Sequence, residues 1–169
     1  MANKTVDELR KKTDSAWGHL TRQLAGMEPH LERADAPGEW TTRQVLTHLL
    51  CERDWDAVKV LKSFAEGDLP LLDIEPGLVD LTPERRTMSL KQLVDALDAQ
   101  RRSAFDYLAG VPEADLTRRK ARIPLFKQFM GTDEISLPVY VGAMFDFHWN
   151  DHAGQLAKIR KAAGLPEAQ

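Results

Sequence analysis

Trp40-Thr41-Thr42-Arg43-Gln44-Val45-Leu46-Thr47-His48-Leu49 is the stretch on which the fold turns. Thr41 and Gln44 stand three apart, the spacing of a capping box in which each side chain satisfies the other residue's free amide. Trp40, just before the cap, is placed to pack on Val45 as a hydrophobic staple. A helix is therefore expected from 42 to about 65. His48 shares a face with Val45, Leu49 and Glu52, so this helix carries an imidazole toward the interior.

Working outward, the chain before Trp40 reads as a helix near 5–27, in which Val6, Leu9, Thr13, Trp17, Leu20, Leu24 and Met27 recur at spacings of three and four. Thr5 with Glu8 offers it a capping box. Gly26, Pro29, Pro37 and Gly38 then break the pattern, leaving an irregular connection that carries His30. Beyond the second helix, Gly67, Pro70, Pro76, Gly77 and Pro83 interrupt residues 66–88 too often for a helix of any length. Ser89 and Gln92 cap a third helix, whose stripe of Leu90, Leu93, Val94, Leu97, Ala104, Leu108 and Val111 ends at Pro112. Residues 112–135 are ambiguous, and no strand is assigned there. A fourth helix is expected over 137–162, with Pro138 in its first turn, Lys158, Arg160 and Lys161 near its end, and Gly164 with Pro166 as the stop.

Four helices of about 20 residues fit an all-α four-helix bundle. The long connections between helices 2 and 3 and between helices 3 and 4 argue against a plain up-down-up-down order. With 169 residues, one domain spanning 1–169 is expected. A hydrophobic content of 43%, a charged content of 29% and a net charge of −3 describe an ordinary globular chain without the basic excess that nucleic acid would require. No apolar run reaches the length of a signal-peptide core or a membrane span, so cytoplasmic residence is expected. The single cysteine, Cys51, leaves no intrachain disulfide and agrees with a reducing compartment.

The chemistry concentrates in His148-Trp149-Asn150-Asp151-His152. A spacing of four puts both imidazoles on one helix face, about 6 Å apart at Cβ, which suits one metal ion. The pair is in phase with Val141, Phe145, Leu156 and Ile159 and so points inward, and the inward-facing His48 supplies a third ligand. Three imidazoles at about 2.1 Å, with a position left over, describe an open site of the catalytic kind. Hydrogen-bonded core histidines or a surface pair remain the alternative on spacing alone.

Gly38 to Leu49, taken with His148-Trp149-Asn150-Asp151-His152-Ala153-Gly154-Gln155-Leu156, resembles the DinB-like superfamily of four-helix metal-binding proteins, most specifically at 38–56 and 145–164. That resemblance implies a bundle of unusual helix order, often a homodimer. It also implies a metal triad of one histidine from the second helix and a pair four apart on the last, which falls here on His48, His148 and His152. The ion implied is one divalent transition metal, zinc, nickel or iron. Family activities include mycothiol-dependent maleylpyruvate isomerases and bacillithiol or other thiol transferases, while many members have none known. The expectation is a metal-dependent thiol S-transferase or hydrolase acting on a small molecule, with a low-molecular-weight thiol as a second cofactor. The alternative is a non-catalytic, stress-related metal-binding protein.

Other residues near the triad have competing readings. Glu52, one turn after His48, is placed to orient a ligand or act as a base, or else to pair with an arginine. Cys51 reads as a small buried residue ahead of a soft ligand. Trp55, Met144 and Phe145 are placed to wall a cavity or simply to fill the core. Asn150 and Asp151 point away from the metal, and His19 and His30 read as surface residues. Arg118, Arg119, Lys120 and Arg122 read as a solvated loop, with reception of an anion as the functional alternative.

Overall fold

Short polar side chains set where the helices begin. The computed structural model describes residues 3–50 and 56–168. Helix α1 spans Lys4–Gln23, and its cap is Asn3, whose side chain accepts the Val6 amide. The Thr5/Glu8 box expected from the sequence does not form. Thr5 already lies inside the helix, and its hydroxyl bonds Glu113 instead. The helix stops four residues short of 27. Gly26 takes up a left-handed φ of 77°, and buried Arg160 donates to the carbonyls of Gln23 and Ala25, replacing the helical bonds that would have continued there. Met27 closes the turn, fully buried.

Helix α2, Thr42–Leu49, carries the expected capping box of Thr41 and Gln44. It does not run on to 65. Leu50 is extended (φ −75°, ψ 121°), and a new helix, α3 (Ala57–Ser63), starts from Asp56, whose carboxylate accepts the amides of Val58 and Lys59. A side chain bonded in that way begins a helix, so the apolar stripe is shared by two short helices. Cys51, Glu52 and Trp55 lie outside the described residues.

The connection after α3 contains one short helix, α4 (Pro83–Thr87), capped by Thr82. Buried Arg43 ties α2 to it, donating to the carbonyls of Arg85 (3.0 Å) and Met88 (2.6 Å) and pairing with Glu32. Helix α5, Leu90–Ala109, starts with the Ser89/Gln92 box as expected. The ambiguous segment resolves into α6 (Glu113–Arg118), strand β1 (Lys120–Arg122), helix α7 (Lys127–Met130) and strand β2 (Glu134–Ser136), with Ala121 opposite Ile135 in an antiparallel register.

The last element begins as α8, Leu137–Gly142, passes through a π-helical turn, Ala143–Phe147, and continues as α9, His148–Ala162. Gly164, at φ 74°, ends it. Helix α1 packs against α9 and α5, while α2 packs against α5 and α9. The sequence-adjacent α1 and α2 thus face each other across the bundle, which is the departure from up-down-up-down order that the long connections require. Trp17 and Phe145 both pack with tilted rings on the buried Trp149 between these helices, at centroid distances of 5.6 and 5.5 Å. No described helix is long and apolar enough to cross a membrane.

Candidate metal centre

Two helices and one loop build the site. His48 sits in the last turn of α2, and His148 and His152 lie on consecutive turns of α9 directly after the π turn. A π turn inserts one residue into the helical register. It lets α8 keep Tyr140 and Val141 buried while α9 presents both imidazoles to α2.

The three rings meet at their Nε2 atoms. His48 Nε2 lies 2.9 Å and His152 Nε2 3.0 Å from His148 Nε2. The outer nitrogens are held elsewhere: His48 Nδ1 is 2.6 Å from the Leu78 carbonyl oxygen, and His152 Nδ1 is 2.8 Å from Gln155 Oε1. Both acceptors require an N–H at Nδ1, so the neutral imidazoles of His48 and His152 present bare Nε2 lone pairs to the centre. His148 Nε2 carries at most one proton to set between two acceptors.

Burial acts in the same direction. It drives the pKa of His148 down to about 3, helped by the neighbouring His152 and His48, and it lowers that of His152 against a smaller opposing effect from Gln155. Neutral imidazoles are the ligating form. Two nitrogens bound to one ion at ~2.1 Å stand roughly 3.0–3.4 Å apart, close to the separations found here. The residues therefore fit a divalent ion, and His48, His148 and His152 form a group able to hold one.

Trp40 closes one side of the cluster. Its indole stacks on His152 at 5.9 Å and 12° and lies 4.8 Å from His48. The residue read from the sequence as a staple thus contacts both histidines. On the other side a cavity of about 240 Å³ reaches His48 and His148. Met144 and Phe145 line it together with Tyr140 and Trp149, and Phe145 is at the same time part of the core. Asp73, Glu75, Leu78 and Asp80, from the long connection, complete its wall. Sequence reasoning missed these loop residues, because a loop's approach to a site leaves no periodic trace.

Two other expectations change. His19 is half-buried, and its Nδ1–H donates to Asn150 Oδ1 (2.9 Å), while the Asn150 amide donates to the carboxylate and carbonyl of Asp146 in the π turn. His19 and Asn150 are therefore not surface groups, whereas Asp151 is exposed. The basic group is ion-paired: Arg118 and Arg119 to Asp115, Lys120 to Glu134 and Arg122 to Asp133. None of the four lines the cavity.

Together these features define a four-helix bundle with a three-imidazole centre between its second and last helices. The sequence matches the family model of the DinB superfamily over residues 5–156, and the chain belongs to that superfamily. Among solved structures it is similar to YfiT from Bacillus subtilis, described as "a probable metal-dependent hydrolase with an unusual four-helix bundle topology". The two are 16% identical, with a TM-score of 0.72 over 98% of this chain and 91% of that one, a likeness of fold. No curated protein matches the sequence.

Proposed function

We propose that this chain is a metal-dependent enzyme acting on a small molecule, hydrolase-like or thiol-transferring, with one divalent transition ion held by His48, His148 and His152. One observation carries the reading: three Nε2 atoms converge with two lone pairs bare and one proton at most between them. A cation at the centre relieves that conflict, and imidazole suits zinc, nickel or iron. When bound, such an ion supplies the Lewis acidity that makes a water or a thiol nucleophilic near neutral pH.

The chain's own residues do the rest. The Leu78 carbonyl and Gln155 fix the tautomers of His48 and His152 and aim their Nε2 atoms. Trp40 shields the His152 side from water, while the cavity admits a small molecule beside His48 and His148. That one-sided access favours catalysis over a structural role, in which protein would fill every position. The likeness to YfiT supports the hydrolase-like form, and a low-molecular-weight thiol in the same cavity is the transferase form.

Cobalt(II) substitution tests the proposal. The visible spectrum of the cobalt protein is expected to shift on adding azide, which enters an exchangeable position. A cobalt spectrum indifferent to azide and to thiols would point instead to a non-catalytic, stress-related metal-binding protein.

A further inference from the structure

The cavity beside His48 and His148 carries charge of one sign. Asp73, Glu75 and Asp80 line it, and among the described residues no lysine or arginine does. Asp80 is partly neutralised from behind by Arg85 at 3.7 Å. Asp73 and Glu75 are exposed at the solvent end and have no ion pair among the described residues. Deeper in, the wall is apolar, formed by Ile74, Val60, Tyr140, Met144 and Phe145. The same loop that brings the carboxylates also supplies the Leu78 carbonyl bonded to His48, so the acidic rim is fixed relative to the imidazole cluster.

We infer that the cavity selects a small cationic molecule, a primary amine or comparable organic cation, with its reacting atom toward the imidazoles and its positive end between Asp73 and Glu75. The inference rests on the metal-centre reading above and names the substrate class for it. Low-dielectric walls concentrate the field of charges at a cleft mouth, so two uncompensated carboxylates attract a cation and repel an anion. The volume of about 240 Å³ is enough for a compact organic molecule. An anionic substrate or thiol would meet three carboxylates and no described cation along this wall.

Three thiols of similar size and different charge test this on the cobalt-substituted protein, with binding read from the thiolate-to-cobalt absorption band. Cysteamine is cationic, 2-mercaptoethanol neutral and 3-mercaptopropionate anionic. The expected order of affinity is cysteamine, then mercaptoethanol, then mercaptopropionate. Because intrinsic thiol acidity differs among them, the deciding quantity is the ratio of cysteamine to mercaptoethanol affinity in the parent and in Asp73→Asn/Glu75→Gln. That ratio is expected to fall about fivefold in the variant, and in the parent it is expected to shrink as salt rises from 0.05 to about 0.5 M. The control Asp106→Asn/Glu167→Gln removes two carboxylates remote from the cavity and is expected to leave the ratio unchanged. Both pairs are exposed, and unchanged melting temperatures confirm intact folding. Failure to take up cobalt overturns the metal reading and this inference with it. Cobalt uptake with a ratio unmoved by Asp73→Asn/Glu75→Gln overturns the inference alone.

Discussion

The imidazole of His48 and the backbone carbonyl of Leu78, thirty residues apart, are joined by a hydrogen bond of 2.6 Å. It connects α2 to the long loop and leaves the His48 Nε2 bare. Gln155 does the same for His152 through a side chain, which makes the arrangement open to substitution. Gln155→Leu is expected to weaken metal affinity about ten- to a hundredfold, since the ring loses the acceptor that fixes its tautomer. Gln155→Glu is expected to restore it. Competition with a chromophoric chelator measures both, and unchanged affinity in the leucine variant would show that Gln155 does not orient His152.

Metal-free protein is expected to lose stability as pH falls below about 6.5. His148 has a folded-state pKa of about 3 against an ordinary value of 6.5, so the unfolded chain takes the proton first. Stability is complete above 6.5 and falls progressively toward 3, by about 2 kcal/mol at pH 5 from this residue alone. His152, also lowered, adds to the loss. Urea unfolding in chelator at pH 7 and pH 5 checks it. His148→Leu should flatten the pH dependence, and an equally steep fall in that variant would assign it to other groups.

The π turn is tied to α1 by the Asp146–Asn150–His19 chain. Asn150→Leu is expected to cost about 1–3 kcal/mol, because it leaves a half-buried imidazole N–H without its acceptor. Adding His19→Leu should recover part of that cost, giving a non-additive cycle. Strictly additive losses would mean that the two side chains are not coupled.

Much of this architecture is legible in the sequence, for reasons that differ by element. The capping boxes at Thr41/Gln44 and Ser89/Gln92 are local chemistry, and both form as read. The convergence of His48, His148 and His152 follows from helical phase, because each imidazole shares a face with residues that must be buried. The continuous helix over 42–65 fails at Leu50 and Asp56. Asp56 is a strong N-cap signal in its own right, and it starts a new helix within the span that the single capping box at Thr41 leaves open-ended. The β1–β2 pair is three residues per strand, too short for an alternating pattern to register. No residue pattern announces the π turn, and the bond between His19 and Asn150 joins residues 131 positions apart that only the packing of α1 on α9 brings together.

The central claim is that His48, His148 and His152 hold an ion, and metal content measures it most directly. Untagged protein incubated with zinc, desalted and analysed for the element is expected to retain close to one ion per chain. The double variant His148→Leu/His152→Leu, treated in the same way, is expected to retain less than about a tenth, with its helical content intact. Less than about a tenth of an ion per chain in the parent, after zinc, nickel and iron have each been offered, would contradict the account.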